Sequence, residues 1–250
     1  MIEVKNLNKS FDGNHVLKDI STTFNTGQTN LIIGQSGSGK TVLMKCIIAL
    51  FRPDSGSILY DRRDVVKMKS AELKRLRQEM GMLFQGSALF DSMTVEENVM
   101  FPLEMFSDEP YEVRKARVEF CLQRVELTRA HDLYPSEISG GMQKRAAIAR
   151  AIALNPRYLF CDEPNSGLDP RTSIVIDKLI QEITREYNIT TVINTHDMNS
   201  VMEIGENIVF INKGEAAWKG NSESLLTSDN ELLNDFVFAS DLFKKIKGST

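Results

Sequence analysis

The stretch LIIGQSGSGKTVLMKCIIAL, residues 31–50, sets the fold. Leu31 to Ile33 is a short apolar run suited to a buried strand, and Val42 to Leu50 carries helical periodicity. Between them stands Gly34-Gln35-Ser36-Gly37-Ser38-Gly39-Lys40-Thr41, which fits G-x-x-x-x-G-K-[ST], the P-loop. The chemistry requires these residue types. Gly34, Gly37 and Gly39 let consecutive backbone N–H groups point inward and keep side chains out of the way of phosphates. Ser36 and Ser38 complete the cradle, and the following helix N-terminus adds its partial positive charge. Lys40 can then reach terminal phosphates, and Thr41 can offer its hydroxyl to Mg²⁺. A flexible Gly/Ser loop is the bland alternative; strand, loop and helix in that order argue against it.

A P-loop needs an acidic residue on a neighbouring strand to hold the metal. RYLFCDEP, residues 157–164, supplies one. Tyr158 to Cys161 reads as a buried strand with Asp162 at its carboxyl end, where open α/β sheets bind ligands. Asp162 is the expected metal residue. Glu163, adjacent and pointing elsewhere, is placed to polarise an attacking water.

A second anion site is written at SEISGGMQKRAAIARAIA, residues 136–153. A Ser-Gly-Gly step runs into an alanine-rich helical pattern. Ser139 can offer a hydroxyl at the helix start, and Gly140 and Gly141 leave their N–H groups accessible.

The bulk properties narrow the class. The chain has 250 residues, the length of one ordinary domain with room for a subdomain. A net charge of −4 gives no reason to expect nucleic acid as a partner. No apolar run approaches membrane-spanning length, and the N-terminus lacks a basic-then-apolar signal pattern. Cys46, Cys121 and Cys161 are far apart in apolar contexts, so buried reduced thiols are expected and no metal spacing is present. The three histidines are scattered and suggest no zinc site.

The P-loop, ISGGMQKRAAIARA, LFCDEP, SGLD and INTHD occur in this order across nearly the whole chain. Together they resemble the ATP-binding cassette ATPases, the motor subunits of ABC transporters. The resemblance implies an α/β P-loop NTPase fold: a RecA-like core with an antiparallel β subdomain and an inserted α-helical subdomain. It divides the chain into residues 1–86 and 156–221 as the nucleotide-binding core, 87–155 as the helical subdomain with the signature motif, and 222–250 as a C-terminal extension.

The resemblance also assigns roles. Ser139, Gly140 and Gly141 match the signature that binds the γ-phosphate of ATP held by a second copy, so a head-to-tail homodimer with two composite sites is implied. Phe11 matches the aromatic that stacks on adenine, with Val16 beside it. Gln85 matches the glutamine that senses metal and attacking water. Ser166 to Asp169 match the loop that crosses the dimer interface, and His196 matches the histidine that contacts the γ-phosphate. The implied ligands are ATP and Mg²⁺, the latter held by Thr41, Gln85 and Asp162. Lys40, Gln85, Glu163 and His196 form the implied catalytic set.

Two local features point within the family. Met142 stands where the signature usually has Gln, with Arg145 still in register. The segment GSALFDSMTVEENVMFPL, residues 86–103, has its own character. Both resemble the ATPases of Mla-type phospholipid transporters. Those work at the cytoplasmic face of the inner membrane with a permease, an MCE-domain lipid-binding protein and a small STAS-type regulatory subunit, and maintain outer-membrane lipid asymmetry. Alternatives are an ABC importer ATPase for an amino acid or metal, and a soluble cassette ATPase of iron–sulfur assembly type.

Around Phe90, Met93, Val95, Val99, Met100 and Phe101 most apolar side chains are expected in subdomain core, with Phe90 and Met93 exposed for a permease helix. In the tail, Leu232, Leu233, Phe236 and Phe243 are expected on one helix face, against its own cassette, a neighbour, or a membrane touched through Lys244, Lys245 and Lys247.

Overall fold

The structure is a computed structural model that describes residues 1–238. The chain opens with β1 (Ile2–Phe11) and β2 (Asn14–Phe24), joined by a tight turn at Asp12 and Gly13, both with positive φ. Then come β3 (Thr29–Ile33), α1 (Lys40–Ile47), β4 (Ser55–Tyr60), β5 (Arg63–Asp64), α2 (Ser70–Gln78) and β6 (Met80–Leu83). A helical stretch follows: α3 (Val95–Phe106), α4 (Tyr111–Arg124) and α5 (Gly140–Ile152). The chain returns to β7 (Tyr158–Asp162), α6 (Pro170–Glu186), β8 (Thr190–Asn194), α7 (Met198–Ile204), β9 (Asn207–Asn212), β10 (Glu215–Gly220), α8 (Ser222–Leu226) and α9 (Glu231–Val237).

These strands form two sheets. One has the order β2-β1-β4-β5 and is antiparallel; the other runs β10-β9-β3-β8-β7-β6, parallel except for β10. Strand β1 runs on to Phe11, with irregularities in its pairing with β2 between Val4 and Ser10.

The parallel strands read as continuous apolar runs because both faces are covered. Leu31 and Ile33 of β3, Leu159 and Cys161 of β7, and Ile208 and Phe210 of β9 face the helices α3 to α9. Ile32, Tyr158, Phe160, Val209 and Ile211 face the other way, onto α1 and the antiparallel sheet. Cys46, Cys121 and Cys161 are free and buried, as expected.

Capping residues place the functional loops. Thr94 and Glu97 form a reciprocal capping box at the start of α3. Asp169 caps α6, accepting from the N–H groups of Arg171 and Thr172, with Pro170 as the first helical residue.

The tail differs in part from expectation. Leu233 and Val237 are buried and Phe236 packs on the core, but Leu232 is 52% exposed. The buried stripe is therefore the i, i+3, i+4 set, and Leu232 points outward. This part of the tail packs on its own chain. Phe243, Lys244, Lys245 and Lys247 lie outside the described residues.

Candidate nucleotide site

The carboxyl ends of β3, β7 and β8 open onto a cleft of about 770 Å³. Val16, Gly34, Ser36, Gly37, Gly39, Lys40, Thr41, Gln85, Asp162, Glu163 and His196 all line it. The loop geometry explains its glycines. Gly34 has φ +149°, and a Cβ there would sit 2.2 Å from the carbonyl oxygen of Ile211. Gly39 caps α1 at φ +110° with no side-chain cap, which leaves the helix N-terminus open toward the cleft.

The cradle suits phosphate. Lys40 is buried and donates to the carbonyls of Gly34 (2.8 Å) and Gln35 (3.0 Å), a fold-back that holds the ammonium at the loop. Burial pushes its pKa down, while the nearby carboxylates of Glu163 and Asp162 oppose the shift. Ser38 Oγ is buried and has no partner within the chain. A buried hydroxyl aimed at the loop fits an anion there.

The metal side is equally specific. Asp162 Oδ1 accepts from Asn194 Nδ2 at 2.6 Å, which orients the carboxylate at the strand end. Asn194 also lines the cleft, and its Oδ1 is buried without a partner. Among the described residues no three His, Cys, Asp or Glu side chains cluster to hold an ion. Mg²⁺ usually binds through one or two carboxylates and fills its remaining positions with other oxygens, phosphates and water. Thr41, Asp162 and Gln85 are the side chains at hand.

Glu163 carries the geometry furthest. It holds φ +48°, a left-handed conformation rare for a side chain other than glycine, while its N–H donates to Asn194 O at 2.8 Å. Its carboxylate lies 2.8 Å from His196 Nδ1. His196 is exposed and Glu163 half-buried, so the pair stands at the lip of the cleft.

Gln85 donates through Nε2 to Ser166 Oγ at 3.3 Å, and Lys144 of α5 donates to the Gln85 carbonyl. The Gln85 loop is thus tied both to the signature helix and to the loop after Glu163.

Five expected residues lie elsewhere. Phe11 is outside the lining; it stands edge-on to Phe51 with ring centroids 5.3 Å apart, under the Lys9 ammonium. Ser139 and Gly140 are exposed and do not line this chain's cleft, and Gly141 is half-buried against Thr172. Asp169 is likewise remote, with its carboxylate engaged as the α6 cap. Ser139 Oγ accepts from Met142 N at 3.3 Å, and the Met142 side chain packs on the helical core. Packing is a physical reason for an apolar residue at that position.

The lining residues missed in the sequence are Gln35, Val42, Asn194 and Phe236. Asn194 had a signal, a polar residue ending an apolar strand. Phe236 had none, since only the tertiary fold brings α9 to the cleft, with its ring stacked on Phe210 at 5.2 Å.

A model of the ABC transporter family matches residues 17–166. The chain belongs to the ABC transporter family. The cassette is 39% identical to "Probable ribonucleotide transport ATP-binding protein mkl" of Mycobacterium leprae, over 94% of this chain and 68% of that protein. It is 38% identical to "Methionine import ATP-binding protein MetN" of Clostridium acetobutylicum, over 96% of this chain and 75% of that one. Among solved structures it resembles the dimeric, ADP- and Pi-bound cassette MJ0796 (TM-score 0.80, 32% identity, 89% of this chain and 99% of that one). It also resembles cbiO1 of Clostridium perfringens, part of the ABC transporter complex cbiONQ (TM-score 0.86, 28% identity, 98% of each chain). The cassette is an ATPase that binds ATP with Mg²⁺. Among the described residues no helix is long and apolar enough to cross a membrane.

Proposed function

We propose that this cassette is the motor subunit of a phospholipid transporter of the Mla type, held at the cytoplasmic face of the inner membrane by its permease. Two copies close head to tail over two ATP molecules. The observation that carries the motor reading is the Glu163–His196 pair, 2.8 Å apart at the lip of a cleft shared with the P-loop.

Each residue has a task in hydrolysis. Lys40 turns from the loop carbonyls to the terminal phosphates of ATP and offsets their charge. Thr41, Asp162 and Gln85 are the residues that would hold Mg²⁺, which would supply positive charge against the phosphates. Glu163 accepts a proton from the attacking water, and His196 steadies the γ-phosphate while keeping Glu163 in place. Ser139, Gly140 and Gly141 do not line their own cleft, which suits donation to the partner's γ-phosphate. Val16 walls the base side, with Phe11 reaching adenine by turning from Phe51. After hydrolysis the dimer opens, and that motion drives the membrane subunits.

An apolar groove of about 480 Å³ gives the permease a seat. It is lined by Met82, Phe84, Phe90, Phe101 and Phe106, with the Phe90 and Phe101 rings 4.8 Å apart. Val95, Val99 and Met100 are buried. Phe90 is 41% exposed, which fits an apolar helix face laid in the groove.

The lipid assignment rests on Met142 and residues 86–103. A second reading, a solute importer, is favoured by the likeness to MetN. Capture of the tagged chain from host membranes in mild detergent separates them. Co-purification of a polytopic permease with an MCE-domain protein, a STAS-type subunit and phospholipid supports the lipid reading. A permease with a solute-binding protein supports the importer, and soluble partners alone would overturn both.

A further inference from the structure

Asn165, Asp177 and Ser200 form a polar knot under the catalytic loops, and all three are buried. Asn165 lies in the loop that follows Glu163. Its Nδ2 donates to Asp177 Oδ1 of α6 at 2.8 Å and to Ser200 Oγ of α7 at 2.9 Å. No ladder or helix bond requires these contacts; they join three separate elements.

The knot sits where two catalytic segments meet. Asn165 is two residues after Glu163, and its carbonyl accepts from Leu168 N, so it shapes the loop up to Asp169. Ser200 is in the first turn of α7, four residues after His196; the Asp197 carboxylate caps that helix through Asn199 N. A tether from Asn165 to Ser200 therefore fixes the distance between the segment bearing Glu163 and the segment bearing His196. Asp177 anchors both to α6, whose N-cap is Asp169.

A carboxyl at this depth is expensive. Burial raises the Asp177 pKa, and the Asp197 and Glu203 carboxylates add to the shift, while hydrogen bonds from Ser200 and Asn165 oppose it. Asn165 Oδ1 is also buried without a partner in the chain. A purely structural role would be served as well by apolar side chains of similar volume, which carry no such cost. At a catalytic pair, placement within a fraction of an ångström matters more than stability.

We infer that the Asn165–Asp177–Ser200 knot is a positioning device that holds Glu163 and His196 in register for hydrolysis. Its members touch neither nucleotide nor metal; they act through the two loops. The inference rests on the roles given above to Glu163 and His196.

The test measures MgATP hydrolysis by the full chain, purified with its bound membrane partners, for Asn165→Ala, Asp177→Ala, Asp177→Asn and the Asn165→Ala/Asp177→Ala pair. The two alanine variants should each lose about tenfold in kcat with KM for ATP changed by less than about twofold, because binding is left intact and only transition-state placement suffers. Asp177→Asn keeps an oxygen acceptor for Asn165 and should restore kcat to near the parental value. The double variant should be no slower than the slower single, as expected of groups acting as one unit. Parental kcat in both alanine variants would overturn the inference, as would a KM rising in step with the fall in kcat, or an Asp177→Asn variant as slow as Asp177→Ala. Should the alanine variants fail to fold, Ser200→Ala, which removes a single hydroxyl, takes their place under the same criteria. Glu163→Gln runs alongside. If it turns over at the parental rate, the roles given to the site fail; if it stops turnover while Asn165→Ala and Ser200→Ala do not slow it, the knot alone fails.

Discussion

Asp162 and Asn194 lie opposite one another on the paired parallel strands β7 and β8, and Asn194 Nδ2 donates to Asp162 Oδ1 at 2.6 Å. The residue that follows Asp162 is Glu163, whose N–H donates to the carbonyl of the same Asn194, and two residues beyond Asn194 is His196. One strand-end register thus aims the metal carboxylate and seats the Glu163–His196 pair.

Glu163→Gln removes the proton acceptor and keeps the shape. ATP binding should persist while turnover falls by roughly 10²–10⁴-fold, the usual worth of a positioned general base. Equilibrium nucleotide binding and steady-state phosphate release check both halves.

Ser139→Arg places bulk and charge at an exposed helix start that does not line its own cleft. Turnover should fall to near background, with ATP affinity of the isolated chain within about twofold of the parent. Loss of ATP binding in the isolated chain would argue against a site shared between two copies.

Asp177 gives a pH dependence whose sign is fixed. Burial pushes its carboxyl up to about 6 from an ordinary value of 3.8. Well below pH 3.8 folded and unfolded chains both hold the proton, and the group is neutral toward stability. As pH rises toward 6 the unfolded chain loses its proton first, so Asp177 becomes destabilising by about 2–3 kcal/mol and stays so above. Asp177→Asn should therefore raise the melting temperature more at pH 7.5 than at pH 4.5. Thermal melts at the two pH values read the difference directly.

Leu233 is fully buried and anchors α9 to the core beside the cleft-lining Phe236. Leu233→Ala should cost about 2–4 kcal/mol, a typical loss for a buried leucine. For a chain of this size that lowers the melting temperature by very roughly 4–16 °C. Calorimetry checks it.

The linear sequence determined the fold class and the class of chemistry. Glycine spacing before Lys40 needs no partner to be read, because backbone N–H groups and a helix N-terminus lie within one short segment. The strand ending in Asp162 and the cap at Ser139 are local for the same reason, and so is the family they mark. Tertiary structure alone decided which of these segments share a cleft. The knot of Asn165, Asp177 and Ser200 joins residues far apart in the chain, and Phe236 reaches the cleft only because α9 packs beside β9. Nor could the sequence tell Leu232 from Leu233, since adjacent apolar residues on a short helix differ only in which one meets the core. Local patterns record the conformation each segment prefers. Long-range placement depends on packing between faces, which no single segment encodes.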